Sequence, residues 1–415
     1  MHNSSSMSAA PVNGVPQTQA KSNLGESRYR AAFEQEESPM HQPSRHACRL
    51  PRQAAFCFTS CAALLSLGAA RAADPAPPAA TPQAVVDSME AVFGPNAGKR
   101  RNHTKGLCAE GRFTTAPGAA RYSRSLLFSG QPVPVQARFS LAGGRASAPD
   151  AARSPRGLAL QFRLPGGALH QMAMLNVPVF SSAMPQSFFE RLDADRPDPT
   201  TGKPDLARQK AVAERFTDNK ALAAWMSQHR PPPSFANASY HGLHAFRFVN
   251  AQDQARWVKW HFVPRDGEKE LSEDEIKAAP ADFLAKALAE RLQHGPVAWD
   301  MVLTLGEPGD PVNDPTRPWP AGRTEVTVGT LQVEHAGGSA CEAINFDPLV
   351  LSDGVQAPPD DPVLAFRSPA YAVSWARRRA EAAQGQAASG QAPVGDAAKA
   401  ASPRGEAATT KAVTR

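Results

Sequence analysis

The stretch from residue 111 to residue 180 constrains this chain most. It is a succession of short extended segments divided by turn residues. Residues 111–115 are β-prone, and residues 133–141 alternate polar and apolar side chains in their second half before Gly143-Gly144 breaks the run. Residues 158–164 and 169–175 flank Pro165-Gly166-Gly167, a hairpin turn. Such alternation gives each strand two different faces, which is what an antiparallel barrel needs.

Extended signals return at 244–249 and 256–263, around the hairpin Asn250-Ala251-Gln252-Asp253, and again at 299–305 and 325–334. Helical spacing marks four regions. Residues 82–93 carry Val85, Val86, Met89, Val92 and Phe93 at helical intervals. The second region runs from 187 to about 230, with a loop at 195–204. The third is 271–292, which opens on Ser272-Glu273-Asp274-Glu275, an N-cap with early acids. The fourth is 360–379. No internal repeat is present. The expected fold class is therefore α+β, an antiparallel β-barrel with flanking helices.

Both ends of the 415-residue chain contribute little to a core. There are 39 prolines, and the termini are rich in Ala, Pro, Gly and Gln. What remains, roughly 300 residues, suits one large domain. Residues 1–44 read as disordered, or as a start placed too early, with Met40 as the alternative. Residues 45–72 have the layout of a signal peptide: Arg45, Arg49 and Arg52, an apolar run over 56–70, and Ala70-Arg71-Ala72 for cleavage. That run is short for a membrane span. The expectation is export to the periplasm, with no stable membrane insertion after cleavage. Residues 73–82 form a Pro/Ala linker, 83–379 the folded domain, and 380–415 a disordered tail. The formal charge is +6, but the basic residues form no single long patch, so no nucleic-acid partner is expected. Of five cysteines, only Cys108 and Cys341 lie in the folded part, and no CxxC pair suggests zinc. A Cys108–Cys341 disulfide and two buried thiols both remain open.

Several residues invite chemistry. His103 follows Lys99, Arg100 and Arg101 and precedes Lys105-Gly106. In 133–141, alternation puts Arg138 and Ser140 on one face and Phe139 on the other. An arginine turned into a barrel would need a partner. Asn176 ends a strand before a proline-containing segment, the usual place for a turn-forming Asn. Arg367 and Tyr371 stand at i and i+4 on a helix, where the cation favours a phenolate able to bind iron.

These residues, in their order, carry a resemblance. Arg100 with His103-Thr104-Lys105-Gly106 resembles the distal-histidine motif of the haem catalase superfamily, with Thr104 where Ala is usual. Ala137-Arg138-Phe139-Ser140 is similar to its second motif. Ser154-Pro155-Arg156-Gly157 resembles an Asp-Pro-Arg-Gly step, with Ser154 replacing Asp. Asn176-Val177-Pro178-Val179-Phe180 resembles the distal-asparagine motif. His241-Gly242-Leu243-His244-Ala245-Phe246, the segment 314–320 and Phe346-Asp347-Pro348 look like further core segments. Arg367-Ser368-Pro369-Ala370-Tyr371 resembles the proximal Arg-x-x-x-Tyr motif. The match runs from about 95 to 378, and it points to the small, core-only catalase-related peroxidases.

The resemblance implies haem b held by Tyr371 as axial iron ligand, with Arg367 stabilising its anion. It implies His103 as general base and acid, Asn176 orienting peroxide, Ser140 orienting the imidazole, and Arg100, Arg138 and Arg378 as candidates for the propionates. The partners would be peroxide and a small organic electron donor, in a monomer or small homo-oligomer. Three departures matter. Ser181 stands where catalases carry a distal aromatic, which implies a wider channel. Trp375 stands where many have His. The long arm and C-terminal helices of full catalases are missing, which argues against tetramers and high catalase turnover. A haem-carrying or haem-sensing barrel without turnover, or an enzyme rearranging lipid hydroperoxides, would use the same scaffold.

Overall fold

A computed structural model describes residues 78–388, inside the second of two compact units, Asp74–Arg415. The expected extension at 1–44, the signal peptide at 45–72, the first part of the linker and residues 389–415 lie outside the described residues.

The chain enters through α1 (Pro82–Phe93). Thr81 caps it, its hydroxyl accepting from Ala84 N at 3.1 Å, and proline takes the first helical position, where no N–H is needed. Four strands follow: β1 (Gly106–Thr115), β2 (Val133–Leu141), β3 (Arg156–Arg163) and β4 (Leu169–Leu175). The β3–β4 turn uses Gly166 and Gly167 at φ of 73° and 81°, as the Pro-Gly-Gly sequence anticipates. Helices α2 (Pro185–Ala194), α3 (Leu206–Arg215) and α4 (Lys220–Gln228) make the long excursion. Then come β5 (Tyr240–His241), β6 (Phe246–Val249), β7 (Ala255–Pro264), α5 (Glu273–Ala278), α6 (Phe283–Leu292), β8 (Val297–Leu305), β9 (Glu325–Ala336), β10 (Val355–Gln356) and α7 (Pro362–Ala388).

Eight strands close a ring in the order β7-β5-β4-β3-β2-β1-β9-β8, with β8 returning to β7, and every pairing is antiparallel. Strands β6 and β10 extend the sheet beyond that ring. The interior is filled by rings from strands that are not neighbours. Phe139 of β2 lies 6.0 Å from Tyr240 of β5 and 5.8 Å from Trp299 of β8, and it stacks on Phe235 at 5.2 Å. Phe139 therefore points inward. Arg138 and Ser140 point out of the barrel, where helices cover them. The cost of an arginine buried inside the barrel does not arise.

Two helix expectations need correction. The segment 271–292 is two helices, because Ala279 precedes Pro280 and takes ψ of 133°, the extended conformation that a following proline favours. The capping box at Ser272 and Glu275 is present, with Ser272 N donating to Glu275 Oε2 at 2.7 Å. At the C-terminus, α7 runs on through 380–388, part of the expected tail. Glu381 gives it something to hold. It accepts from Gly98 N at 2.8 Å and pairs with Arg101, which also donates to Glu90 Oε1 of α1 at 2.7 Å. Arg377 adds contacts to Glu90 at 3.0 Å and Asp87 at 2.7 Å, so α1 and α7 are laced together.

Cys108 of β1 and Cys341 form a disulfide, with Cα atoms 5.4 Å apart. It settles the alternative left open by the sequence, and ties the barrel to the short 3-10 turn Ala340–Ala343. Among the described residues, no helix is long and apolar enough to cross a membrane.

Candidate active site

A cavity lies between the outer barrel face and helices α1, α2 and α7. Val85, Val86 and Met89 of α1 form one wall, and Val363, Phe366 and Ala370 of α7 another. His103, Ser140, Arg100, Arg138, Arg367, Tyr371 and Arg378 all line it.

His103 sits in the left-handed region at φ of 56°, a conformation that costs a non-glycine residue on the order of 1–2 kcal/mol. The neighbours hold it there. Asn102 Oδ1 accepts from His103 N at 2.9 Å and from Gly143 N at 2.7 Å, while Arg138 Nη1 donates to His103 O at 2.8 Å. The imidazole Nδ1 lies 3.0 Å from Ser140 Oγ, which leaves Nε2 for a ligand. A Cβ on Gly157 would lie 2.7 Å from Ser140 Oγ and 3.0 Å from His103 Nδ1, so only glycine admits this pair. Burial, reinforced by the positive charges of Arg138, Arg367 and Arg100, pushes the His103 pKa down to about 3. Near neutral pH the ring is uncharged and able to accept a proton.

Asn176 follows Leu175, which lines the cavity. Asn176 itself is not part of the cavity wall. Its Oδ1 accepts from Arg156 N at 2.6 Å, so the amide nitrogen is the atom left to donate. Ser181 likewise does not line the cavity; its carbonyl accepts from Arg191 Nη1 at 2.9 Å. Phe180 and Phe188, stacked at 5.8 Å, supply aromatic wall beside it. Two departures from the family pattern are absorbed locally. Thr104 Oγ1 donates to Arg100 O at 2.6 Å and Ser154 Oγ to Ala142 O at 2.8 Å.

On α7, Arg367 Nη2 donates to Tyr371 Oη at 2.8 Å, the contact expected of an i, i+4 pair. Nearby, buried His244 Nδ1 meets buried Asp361 Oδ2 at 2.7 Å, and Asp361 Oδ1 caps α7 by accepting from Leu364 N at 2.8 Å. Sequence reasoning missed this pair. The Asp361-Pro362 step is a helix-start signal that could have found Asp361. Nothing local pairs it with His244, 117 residues earlier.

Glu342 was missed as well, and it organises one end of the cavity. Arg100 Nη1 binds its Oε2 at 2.8 Å, Arg138 Nε its Oε1 at 3.0 Å, and Arg378 Nη1 its backbone carbonyl at 2.7 Å, 3.6 Å from Oε2. Three guanidiniums against one carboxylate leave two formal positive charges in excess. Burial and the Arg138 charge push Arg100 down to about 9. Burial also pushes Arg378 down to about 10. Burial works to raise the Glu342 carboxyl, but Arg138 and Arg100 hold it below its ordinary value. Glu342 also lies beside Cys108 and Cys341, but the disulfide leaves no thiolate for a metal ion.

Glu342→Gln is expected to destabilise the haem-free protein by at least about 1 kcal/mol after discounting for the half-exposed carboxylate. That corresponds to a Tm lower by about 2–4 °C. Two carboxylates bound at the same arginines should narrow the gap, and calorimetry with and without haem reads both. An unchanged Tm in the haem-free protein would show that the arginines do not need this partner.

The residues fit a haem. Two excess positive charges suit a pair of propionates. The cavity walls are largely apolar, the tyrosine hydroxyl carries one cationic donor, and the imidazole has a free nitrogen. Trp375 adds a buried indole N–H with no partner among the described residues.

The catalase family profile matches residues 76–391. A catalase-related peroxidase of Synechococcus elongatus is 55% identical over 301 residues, 72% of this chain and 88% of that protein. One from Mycolicibacterium paratuberculosis is 35% identical over 301 residues, 71% and 93%. Among solved structures, a bacterial catalase superposes with a TM-score of 0.62 at 24% identity, and catalase A from Saccharomyces cerevisiae with 0.61 at 22%. Each match covers 68% of this chain but only 57% and 61% of those longer chains. The chain belongs to the catalase family, on the branch of the catalase-related peroxidases.

Proposed function

We propose that the protein is a haem-dependent peroxidase. It reduces hydrogen peroxide or organic hydroperoxides at the expense of a small organic electron donor, with weak catalase activity. One observation carries the reading: an uncharged imidazole and an arginine-paired tyrosine line the same cavity, beside a cluster with two excess positive charges.

Each residue then has a task. Tyr371 Oη would hold the iron of haem b, with the Arg367 donor stabilising it as the phenolate. Arg100, Arg138 and Arg378 would supply the positive charge that holds the propionates. His103 Nε2 takes a proton from the near oxygen of peroxide and returns it to the departing oxygen. For that the ring carries its other proton on Nδ1, donated to Ser140 Oγ, which fixes the tautomer. The Asn176 amide nitrogen, left free by the bond of Oδ1 to Arg156 N, would orient the peroxide from just beyond Leu175 of the wall. When bound, the haem supplies the electrons that break the O–O bond, and the organic donor restores them. The printed names of the two relatives support peroxidase over catalase. The disulfide supports export to an oxidising compartment such as the periplasm, where such bonds persist. The protein acts as a monomer or small homo-oligomer.

The test follows peroxide, oxygen and a phenolic donor together in the haem-loaded protein. Donor oxidation should account for most of the peroxide consumed, with little oxygen released. Oxygen release matching all peroxide consumed would make it a catalase. Inert peroxide would make it a haem carrier, and a rearranged lipid product without donor loss would favour the isomerase.

A further inference from the structure

A second, much smaller pocket lies behind Arg367. Gln171 of β4, Trp260 of β7, His244 and Phe246 line it, together with Arg367, which also lines the large cavity. It has room for about one water molecule. Three of its lining side chains present a buried polar atom with no partner among the described residues: Gln171 Oε1, Trp260 Nε1 and His244 Nε2. All three residues are at least nine-tenths buried, with exposures of 5%, 3% and 2%.

Neighbouring hydrogen bonds fix what each atom can do. Gln171 Nε2 donates to Gln161 Oε1 at 2.6 Å, so the free atom is the carbonyl oxygen, an acceptor. An indole N–H is only a donor. His244 Nδ1 faces the Asp361 carboxylate at 2.7 Å, so Nδ1 carries the proton. Burial pushes this imidazole down to about 4, and an uncharged ring leaves Nε2 as an acceptor. One unpartnered donor and two unpartnered acceptors thus belong to residues that line one space of about a water's size. Leaving three such atoms buried and unpaired would cost on the order of 1–3 kcal/mol each.

We infer that this pocket is a structural water site, in which one water accepts from Trp260 Nε1 and donates to Gln171 Oε1 and His244 Nε2. A single water has the required two protons and a lone pair, whereas a bare cation has nothing to offer the indole N–H. The water joins two barrel strands to the His244–Asp361 pair. Asp361 caps the helix that carries Arg367 and Tyr371. The site is therefore a positioning element for the helix bearing the proposed iron ligand, and it uses no atom of the reaction.

A crystal structure of the haem-loaded protein that resolves ordered solvent tests this, paired with Trp260→Phe. The expected wild-type result is one water within hydrogen-bonding distance of all three atoms. In Trp260→Phe, the water should be lost or its occupancy should fall at least by about half. An empty pocket in wild type, or direct contact between Gln171 and His244, overturns the inference. So does a water unchanged in Trp260→Phe, since the indole would then not hold it. None of these outcomes depends on peroxidase turnover, so the site can fail while the proposed activity stands.

Discussion

His103→Asn is expected to lower kcat/KM for peroxide by about 10²–10⁴-fold, the usual contribution of a positioned general base, while haem content stays near that of wild type. Asparagine is the better replacement than alanine because the backbone here is left-handed at φ of 56°, a region Asn enters more readily. The loss then reports the missing Nε2 and not a relaxed loop. The same geometry fixes the pH dependence. The His103 pKa is lowered to about 3, so the ring is a competent base at every pH above that value and is lost as a base only below it. Between about pH 8 and about pH 5 the wild-type peroxide rate should stay level, with no fall through the ordinary histidine range. Stopped-flow mixing with peroxide across that range reads both effects. A rate falling tenfold per unit below about pH 6.5 would mean that the pocket does not hold the ring uncharged. Loss of haem in His103→Asn would recast His103 as structural.

Tyr371→Phe should act on the opposite side, with haem retention falling by more than about 100-fold. Removing a group that only supports a metal ligand typically costs about 10–100-fold in affinity, and the ligand itself should exceed that. The substitution keeps the ring and removes only Oη, leaving the Arg367 guanidinium without its 2.8 Å acceptor in a half-buried site. Haem titration followed by optical spectroscopy, with circular dichroism as a check on folding, measures the change. The spectrum of whatever haem remains should differ from wild type. Unchanged retention with an unchanged spectrum would remove Tyr371 from the iron.

What the sequence could reveal followed the range of the interactions involved. The β2 strand was legible because Gln136, Arg138 and Ser140 alternate with Val135, Ala137 and Phe139, and that period is local. The same alternation could not say which face was inside. That depended on rings brought by β5 and β8, more than 100 residues away in the chain. Arg367 and Tyr371 were legible as a pair because helix geometry alone brings them together. Ser140 and His103, and the arginines of the cluster, were assigned through resemblance, and the structure brings them to one cavity. Asn176 was legible as a strand end, but its bond to Arg156 N and its place outside the cavity wall depend on the β3–β4 register. Glu342 and His244 carried no local mark at all. An isolated acid beside a cysteine, and a histidine after a glycine-leucine step, become informative only once partners separated by 36 to 242 residues are beside them.

The last strand of the sheet ends at Gln356, and α7 begins only at Pro362. Every strand of the sheet therefore precedes, along the chain, the helix that carries Tyr371 and Arg378. Without that helix, His103, Ser140 and Arg138 would stand on a surface with no opposing wall. The wall arrives when α7 docks against α1 and Glu381 reaches Arg101 and Gly98. Both walls of the proposed haem site are thereby complete only when α7 is docked. A chain cut short of residue 362 would carry the acid–base half of the site with nothing to hold iron.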